Sequence, residues 1–114
     1  NSIKLTIQTI NQLYSNEHFN LLFACAADKD IKDIAKLFIN RFDNVYVTRP
    51  GSQKHSDLKL AIESFTQAGI NFKADKNYFK IIVEALETSA KENKPLLVIG
   101  SFDLVAEVKN ILSL

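Results

Sequence analysis

At 114 residues, 46% of them hydrophobic, the chain has the size of one domain able to bury most of its apolar surface. A net charge of +1 argues against a nucleic-acid arm or a polybasic membrane patch. No apolar run approaches the ~20 residues of a membrane span, no signal peptide precedes the first polar segment, and Cys25, the single cysteine, allows no internal disulfide, so the chain reads as cytoplasmic. Methionine is absent and the chain starts at Asn1, which predicts a processed protein or a piece of a longer one, with part of any active site upstream.

In chain order, Ile3, Ile7, Ile10 and Leu13-Tyr14 recur at helical spacing after Ser2, a cap residue. FNLLFACA (Phe19 to Ala26) is an apolar run broken by Asn20 and suits a strand buried on both faces. Ile31, Ile34-Ala35, Phe38 and Phe42 predict a second helix, with Asp28 or Asp30 as its cap. NVYVT (Asn44 to Thr48) is β-branched and strand-like, and RPGSQ (Arg49 to Gln53) is a turn. Ser56 or Asp57 caps a helix carrying Leu58, Ala61-Ile62 and Phe65, which ends at Gly69. INFKA (Ile70 to Ala74) predicts a third strand. Asp75 to Asn77 lead into a helix over Tyr78 to Glu92, with Phe79, Ile82-Val83, Leu86 and Ala90 on one face. Pro95 stops it, PLLVIG (Pro95 to Gly100) is a fourth strand, and Ser101 starts a last helix bearing Leu104-Val105, Val108 and Ile111-Leu112.

Strands separated by helices need crossover connections. The expected fold is therefore α/β: a Rossmann-like three-layer domain over residues 1–114, with a mostly parallel sheet of at least four strands and helices on both faces.

Ligands of open parallel sheets sit beyond the carboxyl ends of the strands, where strand order reverses. In a 3-2-1-4 order, strands 1 and 4 are neighbours, and their loops place Lys29 opposite Ser101. Both loops open helices, whose first N–H groups favour anions. A lysine, a serine hydroxyl and free amides suit a carboxylate or phosphate. Each has a plainer reading: Ser101 as a helix cap, Lys29 as a solvated loop residue, and Asp28 and Asp30 as first-turn acids. Two carboxylates beside a lysine are a weak metal signal, and no metal site is expected. Cys25, between Ala24 and Ala26 in a strand, reads as a core thiol rather than a nucleophile. His18 and His55 are not spaced as a metal pair; His55, on the Gly51 loop, is the better placed for a site. There is no Gly-rich P-loop, and Gly100-Ser101 is no dinucleotide fingerprint.

Two motifs carry a resemblance. FACAADKDIKDIAKLF (Phe23 to Phe38) resembles the strand-loop-helix φφφGxxxDKDφxxφφxxφ of folylpolyglutamate synthases, where φ is apolar. LLVIGSFDLVAEVKNIL (Leu96 to Leu112) is similar to their closing strand and helix. VYVTRP (Val45 to Pro50) fits between, so the likeness covers essentially the whole chain. It implies the C-terminal domain of a folylpolyglutamate synthase, or of a bifunctional dihydrofolate and folylpolyglutamate synthase, within the Mur-ligase superfamily. The implied reaction phosphorylates a folate carboxylate with ATP; the amine of L-glutamate then displaces phosphate to form an amide. The P-loop and most Mg²⁺ ligands would belong to an N-terminal ATPase domain, the implied partner, and neither ATP nor Mg²⁺ is expected to bind this domain tightly by itself.

By resemblance, Lys29 meets the carboxylate or the developing acyl-phosphate charge, and Ser101 stands at the amino-acid site, with Asp28, Asp30, Lys54 and His55 as secondary candidates. No catalytic residue is expected within this domain alone. Family members carry an Asp-Gly-Ala-His-Asn motif that contacts nucleotide just before the first helix; Asn1 stands as its last residue or as a tag remnant. Relatives often place Pro-Arg after strand 2; here Arg49 or Lys54 would supply that cation. Alanines stand where relatives often have glycine before DKD. The competing reading is a stand-alone α/β ligand-binding or receiver-like module, which needs an acid cluster at the strand ends. A monomer, without nucleic-acid or membrane partners, is expected in either case.

Overall fold

The computed structural model describes residues 18–24, 30–49, 58–100 and 102–113, the last segment with its side chains from 105 onward. Four strands alternate with four helices: β1 (Asn20–Phe23), α1 (Ile31–Lys36), β2 (Val45–Val47), α2 (Leu58–Gln67), β3 (Lys73–Ala74), α3 (Tyr78–Glu92), β4 (Leu96–Ile99) and α4 (Phe102–Leu112). The helix expected before β1 lies outside the described residues. The strands form one sheet in the order β3-β2-β1-β4, and every pair is parallel. Phe23 is opposite both Val47 and Ile99, so the carboxyl ends of the three longest strands are level.

Side chains alternate across the sheet, as the pleat requires. Leu21 and Phe23 of β1, Val45 and Val47 of β2, and Ile99 of β4 face α1 and α2, whose Ile31, Ile34, Ala35, Ala61 and Phe65 complete one core. Leu22, Ala24 and Tyr46 face the other way, onto Ile81, Ile82 and Ala85 of α3 and Val108 of α4. The three-layer arrangement follows from both faces of β1 being apolar. Five phenylalanines link the first core: Phe23 to Phe38 and Phe65 at 5.4 Å between ring centroids, Phe38 to Phe42 at 5.7 Å and to Phe65 at 5.9 Å, and Phe65 to Phe72 at 5.7 Å. Such spacings allow edge-on and tilted contacts that add to burial.

Three local expectations are corrected. The helix expected to run to Phe42 stops at Lys36; Leu37 and Phe38 close it with shorter bonds to the carbonyls of Ile34 and Ala35, both 3.0 Å, and Asn40 turns the chain at φ +56°. Phe38 still reaches the core because this turn keeps it against the sheet. The third strand shrinks to Lys73 and Ala74, both exposed; a short edge strand bearing lysine resists pairing with another chain. Of the stripe read from Phe79, Ile82-Val83, Leu86 and Ala90, Ile82 is buried and Leu86 packs partly buried against the core, but the buried residues of α3 are Ile81, Ile82, Ala85 and Ser89, so the helix is rotated from that reading. Phe79 and Ala90 are exposed, as is Ile62 of α2, whose place is taken by Ser64.

Two polar details carry a testable consequence. The Ser64 hydroxyl is buried without a hydrogen-bond partner. Asn93 ends α3 in the left-handed conformation at φ +56°, with its amide on the Ala90 carbonyl and that of Lys94 on the Ser89 carbonyl, 3.2 and 2.9 Å. A left-handed helix end favours glycine, which lacks the Cβ penalty. Ser64→Ala and Asn93→Gly are each expected to add up to about 1 kcal/mol to the unfolding free energy, seen as a higher urea midpoint.

Candidate functional site

Strand order reverses at β1, so β1 and β4 lie side by side while their helices leave on opposite faces. The crevice of a parallel sheet opens at such a point, beyond the carboxyl ends. The last ladder bond runs from the Ala24 amide to the Ile99 carbonyl, 3.2 Å. Gly100 follows with φ +122°, and an L-side chain there would strike the carbonyl of Ala24. The ends of the two strands therefore meet through the backbone of Ala24 and Gly100.

Beside them, the ends of β2 and β3 form a polar shelf. The Thr48 amide donates to the Phe23 carbonyl at 3.0 Å, and its hydroxyl donates to the Asp75 carbonyl at 2.7 Å. Arg49 Nε donates to the Lys76 carbonyl at 3.0 Å, tethering the guanidinium by one edge. Asp75 accepts from the Asn77 amide at 2.9 Å, and Asn77 caps α3 by accepting from the Lys80 amide at 3.2 Å. The Asn77 amide, with Lys80 at 3.6 Å, holds the Asp75 carboxyl below its usual range. Arg49, Lys76 and Lys80 thus line one end of the sheet, with Asp75 as their local counter-charge.

Of the residues singled out from sequence, Asp30 lies at the cap position of α1; its carbonyl accepts from Ile34 at 3.2 Å, but its side chain makes no capping bond and is exposed. Lys29, Ser101, Asp28, Lys54, His55, Asn1 and Cys25 lie outside the described residues. Among the described residues, no group of three or more His, Cys, Asp or Glu side chains is placed to hold a metal ion, and no helix is long and apolar enough to cross a membrane.

At the opposite end of the sheet is a network that the sequence reading did not assemble. Asn20, fully buried in β1, donates through Nδ2 to Ser89 Oγ at 3.0 Å and accepts at Oδ1 from the amide and side chain of Asn44, 3.2 and 3.0 Å. Asn44 donates on to Glu92 at 3.0 Å, and Lys94 bridges Glu92 and Asp43 at 3.1 and 2.8 Å. His18, exposed, reaches Asp43 at 3.2 Å, far from the crevice. The one signal was Asn20 itself, a polar residue interrupting an apolar run; a buried amide must find partners.

The hydrogen bond from Lys94 chiefly holds the Asp43 carboxyl below its ordinary value of 3.8; the bonds from Asp43 and then Glu92 raise Lys94 above 10.5. A depressed carboxyl contributes stability above its unfolded value that is lost as pH falls through the folded one; a raised lysine contributes below its unfolded value and loses it as pH rises through the folded one. Asp43→Asn is therefore expected to lower the urea midpoint at about pH 7 and to converge with the parent only as pH falls through the folded carboxyl's value, which lies below 3.8. The pair is partly exposed, so the difference should shrink in salt. A gap that persists unchanged at the acid end would refute the linkage.

A parallel sheet with helices packed on both faces and its strand order reversing at β1 defines the class: a three-layer α/β domain. The model of the Mur ligase, glutamate ligase domain matches residues 1–102, and the chain belongs to that family. Its fold is similar to folylpolyglutamate synthase from Thermotoga maritima (TM-score 0.77, 21% identity, 97% of this chain and 25% of that one). It is also similar to the Mycobacterium tuberculosis enzyme solved with ADP and AMPPCP (TM-score 0.72, 19% identity, 96% and 26%) and with ADP (TM-score 0.70, 19% identity, 96% and 27%). The chain spans about a quarter of the length of these solved relatives. No curated protein matches it in sequence.

Proposed function

We propose that residues 1–114 are the C-terminal domain of a cytoplasmic, monomeric, ATP-dependent ligase that adds L-glutamate to a folate. The observation that carries this reading is the family match over residues 1–102, on a chain whose crevice sits at the β1/β4 switch point. A folate carboxylate oxygen attacks the γ-phosphorus of ATP, and ADP leaves. The glutamate nitrogen attacks the acyl carbon, phosphate leaves, and the nitrogen gives up a proton. The nucleotide and Mg²⁺ belong to the preceding domain, since these 114 residues contain no P-loop; Asn1 stands on that nucleotide side.

Lys29 and Ser101 are the residues that meet the amino acid, with Asp28, Asp30, Lys54 and His55 around them. Arg49 supports the same reading: its Nε is bonded to the Lys76 carbonyl, so its two Nη groups remain in a fixed orientation suited to a carboxylate. The family match favours this ligase reading over a stand-alone receiver-like module. The described acid at a strand end, Asp75, is moreover engaged by its own turn.

The test is ATP-dependent incorporation of labelled glutamate into a folate acceptor by the full-length protein. ADP release should depend on the folate, and the 114-residue chain alone should turn over no ATP. A full-length protein that forms no glutamyl amide on any folate, or a lone chain that hydrolyses ATP, overturns the proposal.

A further inference from the structure

Two of the chain's glycines have positive φ, Gly69 at +76° and Gly100 at +122°, and they are not equivalent. A Cβ on Gly69 would meet nothing within 4 Å. A Cβ on Gly100 would overlap the Ala24 carbonyl oxygen, and would lie 2.7 Å from its carbon and 3.3 Å from its nitrogen. All three are backbone atoms, so no side-chain rotamer relieves the overlap. Nor can Ala24 recoil freely. It is buried, its amide is bonded to Ile99, and it packs in a cluster with Leu22, Tyr46, Ile82 and Val108. A close-packed interior passes such a displacement on rather than absorbing it. The outer strand must give, and the chain leading into α4 moves with it.

We infer that Gly100 is a positioning residue: by carrying no side chain it lets the end of β4 seat on the backbone of Ala24, which sets the spacing of the two strand ends across the switch point. The inference rests on the ligase reading, which puts a ligand-facing residue, Ser101, directly after Gly100. Gly100 itself acts through that neighbour. Small misplacements of binding groups carry large kinetic costs.

The experiment compares Gly100→Ala with Gly69→Ala and Ser101→Ala in the full-length protein. Gly69→Ala carries the conformational strain without the overlap. Gly100→Ala should raise the glutamate KM by about as much as Ser101→Ala does, roughly three- to tenfold, while the ATP KM stays within about twofold; Gly69→Ala should leave both within about twofold. Amide exchange at Ala24, the donor to Ile99, should be about tenfold faster in Gly100→Ala than in Gly69→Ala. If Gly100→Ala does not fold, the same measurements are made with Ser64→Ala and Asn93→Gly added to every variant. An unchanged glutamate KM in Gly100→Ala, where Ser101→Ala raises it, overturns the inference and leaves the ligase reading intact. Equal Ala24 exchange in the two glycine variants also overturns it. An unchanged KM in Ser101→Ala instead removes the ligand role of Ser101, and Ala24 exchange then decides the spacing by itself.

Discussion

Replacing Lys29 by alanine in the full-length protein is expected to raise the glutamate KM, or lower kcat, by more than about tenfold. A hydrogen bond to a charged group contributes ~1.5–3 kcal/mol, and about 1.4 kcal/mol is a factor of ten. If the lysine meets the amino-acid carboxylate in ground and transition states alike, the loss falls on KM. If it meets charge that develops on the acyl phosphate, kcat falls with kcat/KM. Steady-state kinetics with glutamate varied at saturating ATP and folate separate the two. Ser101→Ala should act in the same direction and less strongly, since a neutral hydroxyl donor contributes about 0.5–1.5 kcal/mol. Unchanged kinetics in both variants would remove the assignment of the crevice residues, whatever the family.

The largest loss of stability is expected from Phe65→Ala. Phe65 is fully buried and its ring meets Phe23, Phe38 and Phe72, so one truncation loosens β1, the end of α1 and the approach to β3 together. Removing a buried phenylalanine costs about 3–5 kcal/mol, against a total stability of about 5–15 kcal/mol for a typical domain. Ile62, three residues earlier on the same helix but exposed, should cost under about 0.5 kcal/mol on replacement by alanine. Urea unfolding of the two variants checks the contrast. Similar midpoint shifts would mean that α2 presents a different face to the sheet.

That contrast bears on how much was legible beforehand. Periodicity alone proposed both Phe65 and Ile62 for the core, because both fall within one broad apolar face. Only the packing of α2 against α1 and the sheet separates them. The same holds for α3. Its sequence offers two overlapping apolar stripes about a quarter-turn apart. The stripe of Ile81, Ile82, Ala85 and Ser89 is the one buried, and the hydrogen bond between Asn20 and Ser89, 69 residues apart in the chain, is part of what holds that rotation. Asn20 was visible as an interruption, but its partners on β2 and α3 were not.

The candidate site divides the same way. The DKD loop and the Gly100-Ser101 pair were readable as motifs, and the alternation of strands and helices was enough to place both at one end of a parallel sheet. That Arg49 is tethered to the Lys76 carbonyl, and that Gly100 is required by the backbone of Ala24, were not readable. The types of the described elements and the parallel sheet follow from this sequence by itself, because apolar spacing, turn residues and crossover connectivity act over a few residues at a time. Helix rotation, the polar network at the amino ends and the contact of Gly100 with Ala24 belong to the tertiary structure, because each is decided by atoms that meet only once distant segments have packed.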